Sequence, residues 1–496
     1  MGIIAKQSIK GTIVTYIGVA IGFVTTFFVL TRFLSAEEIG LARVLIDAAM
    51  LFIGLAQLGT NSSIIRFYPY FNTPDEHSSS GQNDHGFFFW TNIVPFVGYV
   101  VFALVFWGCS VPLSAWFGDK SQLFVDYYYF VLPLAFFMLY QTIYETNANV
   151  LKHIVVPRAV REIVVRVGLL LNYLLYAFEV LSMDGFVIGI CLTYAVAALI
   201  NIAYVCSLTR ITLRPDWQFL KDNPKLVRNY LLYTGFLVVS ALTSVLAPTL
   251  SSFFITAQMG LSFTGIFAIA TYMAAMVSIP SRSLIAITQP ELSQTIKDGD
   301  TANTSRLIAQ ATNNLLLVGG MIFLLIWVNI DLIFHILPNG ELYATARHTV
   351  FLLGIGQLMV GSLGIFNPAL SYSRFYAFSL LNSLVLTVSA MLLNNALIPH
   401  LGIDGAALAT VLSDVIYYTL VVSVTCGALH LRPLTRKHLL TLMLLLLIFM
   451  LNCIWVQYIH LNVYVDSVLR TLLLIGGGIA VAYKLRLSPE IHALLP

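Results

Sequence analysis

The sequence predicts an all-α, multi-pass membrane protein, and three observations carry that expectation. Hydrophobic residues fill 58% of the 496 positions while charged residues fill only 10%, and the mean hydropathy is +0.86. The apolar residues gather into some fourteen runs from Gly11 to Lys484 with short polar interruptions. Each run is close to the roughly 20 residues that a helix needs to cross about 30 Å of hydrocarbon.

Because lipid offers no partner for a backbone N–H or C=O, these runs read as helices, and the alternating ten-residue pattern of a β-barrel is absent. The first, Gly11 to Phe33, follows Lys6 and Lys10 as a signal peptide would. It runs too long, lacks a small-residue cleavage site and leads straight into Ile39 to Ile65, so it reads as a retained helix. Phe87 to Cys109 and Phe124 to Thr146 follow, with Phe87 to Trp90 and Tyr127 to Phe130 as aromatic clusters near their starts, where an interfacial belt is expected. Val160 to Val180 and Phe186 to Leu208 complete a first group of six. Leu231 to Ala257, Ser262 to Ile287, Leu307 to Asn329, His348 to Leu370, Tyr376 to Ile398 and Gly405 to Gly427 form a second six, and His438 to Ile459 and Ser467 to Lys484 remain as a final pair.

Charge placement agrees with this count. With the N-terminus cytoplasmic, all but five of the 26 Lys and Arg fall on the cytoplasmic side or at adjoining helix ends; the five are Arg32, Arg43, Lys120, Arg347 and Arg470. The bias follows the positive-inside rule and puts both termini in the cytoplasm.

The two groups of six resemble one another. A shift of 225 residues lays Thr31 on Thr256 and Gly40 on Gly265, and a shift of 220 lays Asp184-Gly185 on Asp404-Gly405 and Cys206 on Cys426. Parallel repeats of this kind imply two lobes related by an axis along the membrane normal, with a cavity where they meet. The organisation expected is a six-helix lobe over 1–208, a cytoplasmic linker over 209–230, a second six-helix lobe over 231–427, and an appended pair with a cytoplasmic tail over 428–496. Outer loops are short, whereas Asn72 to Gly86 is a longer polar cytoplasmic loop, flexible by composition.

Several function classes drop out. A net charge of +3 leaves no electrostatic footprint for nucleic acid. No phosphate-binding GxxxxGK[ST], HExxH or CxxC motif occurs, so no cofactor or metal is implied, and transport energy must come from a gradient. Cys109, Cys191, Cys206, Cys426 and Cys453 lie in or beside apolar runs without metal-site spacing and read as packing residues. No large outer loop is present to carry the catalytic groups of a polymerase or ligase, so the chain is not expected to be an enzyme.

Ionisable groups within spans are costly and face a partner or a wet cavity. Arg43 and Asp47 lie four residues apart on one helical face, and Glu162 and Arg166 repeat the spacing in reverse order. Each pair either neutralises itself and staples helices, or lines an aqueous cavity in which Arg offers bidentate contact to phosphate and the acids titrate. Arg32 and Arg66 at helix ends are interfacial anchors or ligands, and Glu145 lies near the inner end of its span. The second six helices are almost free of mid-membrane charge except Asp414, with Arg282 and Glu291 near an inner end. Pro95, Pro133, Pro248 and Pro368 fall inside spans, and Pro248 is the candidate hinge, the alternative being a static kink. The glycines Gly354, Gly356, Gly361 and Gly364 read as close helix packing.

The segment LTRFLSAEEIGLARVL, closed by LAQLGTNSSIIRFYPYF, and the later SRSLIAITQPELSQTIKDGD resemble bacterial polysaccharide-biosynthesis membrane proteins, the O-antigen and capsule repeat-unit flippases of the multidrug/oligosaccharidyl-lipid/polysaccharide (MOP) exporter superfamily. The resemblance implies two six-helix lobes around a cationic cavity, and movement of polyprenyl-pyrophosphate-linked oligosaccharide from the inner to the outer leaflet of the bacterial inner membrane. It implies the lipid-linked substrate, a proton or sodium gradient and glycan polymerase machinery as partners. Arg32, Glu37, Gly40, Arg66, Pro290 and Glu291 carry over as structural or interfacial positions. The rival within the same fold is a cation-coupled drug or metabolite exporter.

Overall fold

The computed structural model describes residues 3–487 apart from 72, 75–81, 84, 152, 210–213, 374, 376, 434 and 460. The chain divides into two compact units, residues 1–265 and 266–496. Both are helical, and the protein is an all-α, multi-pass membrane protein. Among the described residues ten helices are long and apolar enough to cross a membrane, or eleven if the bent pair Arg347–Leu363 and Phe366–Tyr372 is one span. The sequence leads to a larger number, and the difference has local causes. Residues 155–177 are helical throughout but carry Arg158, Arg161, Glu162 and Arg166. Phe378–Gly427 counts as one long apolar stretch, although Gly402 breaks it with φ 59° and ψ −136°.

In the first unit Ser35 starts the helix Ala36–Ala56 with a reciprocal cap: the Glu38 N–H donates to Ser35 Oγ at 3.2 Å and the Ser35 N–H donates to Glu38 Oε2 at 2.7 Å. The sequence expects one uninterrupted span from Ile39 to Ile65, but the chain breaks its helix inside that run. Leu58 and Gly59 take positive φ values of 46° and 69°, and a second helix, Thr60–Phe71, continues beyond them. Gly98 of the helix Phe87–Gly108 packs on this break, where an added Cβ would lie 2.1 Å from the Ala56 carbonyl oxygen.

Wider π-type turns interrupt two helices of this unit, at Thr25–Leu30 and at Val160–Val164. In the polar loop after Phe71, residues 73–74 pair antiparallel with 82–83, an ordered contact in a segment whose composition suggests flexibility. Downstream the long helix Pro224–Gln258 belongs to the first unit.

The second unit has a core of Leu317, Phe323, Leu324, Val328, Leu444, Leu445, Ile448, Leu474 and Ile475. These residues seat the final two helices, Arg436–Tyr458 and Val463–Lys484, against the helix Thr301–Val328. Exposed leucines along both final helices, such as Leu442, Leu446, Leu472 and Leu473, are the lipid-facing side that a hydrocarbon solvent allows.

Candidate functional site

Among the described residues, several charges inside the spans of the first unit are paired. Arg43 Nε donates to Asp47 Oδ2 at 2.8 Å. Asp47 is only 3% exposed, and Ser252 of the helix Pro224–Gln258 lies beside it. The i, i+4 spacing read from the sequence therefore produces the contact itself, at the junction of two helices.

Glu162 and Arg166 also meet, at 3.0 Å, and belong to a longer chain of charges. Arg161 reaches Glu145 at 2.9 Å and Glu162 at 3.5 Å, so acid and base alternate from Glu145 through Arg161 and Glu162 to Arg166. At the far end Arg166 Nη1 donates to the Gly18 carbonyl oxygen at 2.5 Å. Gly18 and Gly22 make this approach possible, since a Cβ on Gly22 would lie 2.3 Å from Arg166 Nη1 and one on Gly18 would lie 2.6 Å from the Glu162 carbonyl oxygen. The ladder runs through the Val160–Val164 π-turn, and interruptions of this kind are frequent at functional sites.

The remaining candidates stand apart from these pairs. Arg32 is exposed beside the ring of Phe33. Arg66 is exposed and sits 4.2 Å over the ring of Tyr233. Pro248 is backbone-helical within Pro224–Gln258, and its side-chain surroundings lie outside the described residues. The Pro290 side chain lies outside them too. Glu37, Arg282 and Glu291 are exposed. In the second unit Asp414 is half-buried, its Oδ2 3.9 Å from where a Cβ on Gly356 would stand. Among the described residues no cation pairs with it.

Two features were not singled out in the sequence. Arg161, which reads there as one more inner-end cation, joins Glu145 to Glu162; its partner lies on a different helix, so no spacing reveals it. In the second unit Arg470 and Asp466, 4% and 9% exposed, form an ion pair. Trp455 Nε1 donates to the same carboxylate at 2.7 Å. This pair does carry an i, i+4 signal. Among the described residues no group of three or more His, Cys, Asp or Glu is arranged to hold a metal.

The model of the family described as polysaccharide biosynthesis protein matches residues 4–296. The chain belongs to that family. No curated protein matches this member's sequence. Its fold is similar to that of a lipid II flippase, MurJ, in an inward closed conformation, at 13% identity and a TM-score of 0.67 over 96% of this chain and 99% of that one. It is also similar to an inward-facing multidrug resistance MATE family transporter of the MOP superfamily, at 12% identity and a TM-score of 0.62 over 83% and 93%. A third similar structure, a MOP superfamily transporter from Pyrococcus furiosus described as having a binding pocket of reverse polarity, gives 10% identity and a TM-score of 0.56 over 86% and 96%. The family member thus has the fold of MOP superfamily transporters.

Proposed function

We propose that this chain flips polyprenyl-pyrophosphate-linked oligosaccharide from the inner to the outer leaflet of the bacterial inner membrane by alternating access. In this reading both termini are cytoplasmic, and fourteen spans form two six-helix lobes and a final pair. One observation carries it: a member of the polysaccharide biosynthesis family has the fold of a protein described as a lipid II flippase. The concentration of charged spans in the first unit supports it further.

The pairing of the candidates suggests how such a site would work. Arg43 and Arg166 are each neutralised by an acid four residues away, which lets them stay in the membrane without substrate. A pyrophosphate offering bidentate contact competes for the guanidinium, and the displaced carboxylate of Asp47 or Glu162 then takes up a proton or sodium ion. Substrate and coupling ion are linked through one exchange of partners. Arg32 and Arg66 assist at the helix ends, Glu145 and Asp414 are further coupling acids, and Pro248 is the hinge. The lipid-linked substrate is moved without chemical change, so the protein is not proposed to be an enzyme, and the glycan polymerase machinery is the proposed recipient of its cargo.

The test is glycan display in a strain lacking the gene. Arg43→Ala combined with Arg166→Ala should abolish surface glycan while folded protein remains in the membrane, and unimpaired display removes both from the site. The similarity to a multidrug transporter supports a second reading, a cation-coupled exporter. Efflux of cationic dyes from vesicles holding the purified protein, dependent on Asp47 but not on Arg43, would favour it.

A further inference from the structure

Arg66 differs from Arg43, Arg161 and Arg166 in what holds it. Arg43, Arg161 and Arg166 each meet a carboxylate. Among the described residues none pairs with Arg66; its guanidinium carbon lies 4.2 Å from the ring centre of Tyr233 and 5.7 Å from that of Phe67. A ring face attracts a guanidinium without consuming its five N–H donors. The charge is therefore held in place by the rings, with no acid paired to it among the described residues.

The seat is firm. Phe67 is 3% exposed and packs edge-on against Tyr230 at 5.2 Å and Tyr233 at 5.7 Å. One turn earlier Ser63 and Thr234 share a buried hydrogen bond of 3.1 Å. Two helices, Thr60–Phe71 and Pro224–Gln258, are thus locked together beneath the arginine.

Its surroundings identify the phase that it meets. Ile65 and Tyr70 are 62% and 61% exposed, as lipid-contacting residues are. The helix ends at Phe71, where the polar stretch NTPDEHSSSGQNDHG begins. An exposed cation between lipid-facing side chains and a polar loop sits at headgroup depth, and the anion present there is phosphate.

We propose that Arg66, seated on Tyr233 and Phe67, is a binding site for the phosphate of a lipid headgroup with net negative charge. The phosphate comes either from bulk anionic phospholipid or from the pyrophosphate of a transported lipid; the second source rests on the function proposed above, and the first does not.

The experiment is lipid binding to the purified full-length protein in detergent, read by native mass spectrometry. The probes are phosphatidylglycerol, phosphatidylcholine and a short-chain polyprenyl pyrophosphate. Arg66→Gln should weaken binding of the anionic probes about tenfold and leave phosphatidylcholine unchanged. Arg66→Lys, which keeps charge without the fork, should recover part of the loss. Tyr233→Leu should weaken the same probes while the charge remains. Preference for the polyprenyl pyrophosphate supports the site with the transported lipid as source, and equal binding of phosphatidylglycerol supports it with bulk lipid as source. Unchanged binding by Arg66→Gln, in protein whose melting temperature matches the wild type, overturns it. Loss of glycan display in Arg66→Gln with headgroup binding intact also overturns the site, while leaving the transport function standing.

Discussion

Gly40 and Gly265, the two glycines that a 225-residue shift of the sequence superposes, pack against one another. A Cβ on Gly40 would lie 2.0 Å from the Leu261 carbonyl oxygen and 3.1 Å from the Gly265 nitrogen, and a Cβ on Gly265 would lie 1.9 Å from the Ala36 carbonyl oxygen. The contact is reciprocal: each glycine admits the backbone that starts the other's helix. Thr31 and Thr256, the other superposed pair, are both fully buried. Each donates its hydroxyl to the carbonyl four residues back, at 2.7 Å in both cases. These positions thus hold small residues and self-satisfied hydroxyls at close helix contacts.

The glycine contact sets a steric prediction. The obstructing atoms are backbone, which cannot rotate away, so Gly40→Ala should cost about 1–3 kcal/mol as an overpacked crossing, and Gly40→Leu should give little folded protein. Gly265→Ala should behave alike, and the double alanine variant should be worse than either. Thermal melting in detergent, followed by loss of the monodisperse peak, measures this. A Gly40→Ala protein that melts with the wild type would show that the helices separate without cost.

The charge ladder makes a second prediction. Glu162 serves Arg161 and Arg166 together, so Glu162→Gln should loosen both ends, freeing Arg161 to rest on Glu145 alone and leaving Arg166 on the Gly18 carbonyl. Residues that share one network do not act additively. Glu162→Gln with Arg166→Ala should therefore cost less than the sum of the two single changes, by about 0.5–3 kcal/mol of coupling. A double-mutant cycle on stability reads the coupling, and glycan display on the same four proteins shows whether transport follows it.

How much of this was legible in the sequence depends on the range of each interaction. Arg43–Asp47 and Glu162–Arg166 were, because helical periodicity places i and i+4 together whatever the tertiary fold. Arg161–Glu145 was not, since its partners occupy different helices and only packing joins them. The break at Leu58–Gly59 is not legible either: it lies inside an apolar run, and leucine has no preference for positive φ. Arg66 was visible only as a choice between anchor and ligand. The rings that decide what holds it come partly from Tyr233, 167 positions away in the sequence.

A third prediction concerns pH at the polar connection. Asp216 accepts from the Gln218 and Phe219 N–H groups at 3.1 and 3.0 Å, capping the helix Trp217–Asp222. It also meets His85 Nδ1 at 2.9 Å, and the His85 ring stacks on Phe219 at 4.1 Å. The Phe219 N–H first, and then His85, hold its carboxyl below the usual range. A depressed carboxylate stabilises the fold above the unfolded value of about 3.9, and that contribution is lost as pH falls through the lower folded value. Hydrogen exchange of the Phe219 amide should thus be slow near pH 7 and lose its protection, relative to neighbouring helices, only below about pH 4. Asp216→Ala should remove the protection at every pH, at a local cost of about 1 kcal/mol. Equal exchange in both proteins would mean that the cap contributes nothing.

The last prediction uses the most buried ion pair described. Arg470 and Asp466 tie the helix Val463–Arg470 to itself and, through Trp455 and Asn452, to the helix Arg436–Tyr458. Nearby, Asn329 donates to Thr471 Oγ1 at 2.9 Å, joining the end of the helix Thr301–Val328 to the same place. Removing only one charge strands the other in a buried setting, so Asp466→Asn should cost about 3–5 kcal/mol, whereas replacing both by apolar side chains, Asp466→Leu with Arg470→Met, should cost far less. If the pair instead serves as a rigid attachment for the final helices, the double variant should fold yet let them detach more often. Hydrogen exchange in the helix Val463–Arg470 would rise while the melting temperature of the whole stays near wild type. A double variant as unstable as Asp466→Asn would show that polar geometry, rather than charge balance, holds the two final helices in place.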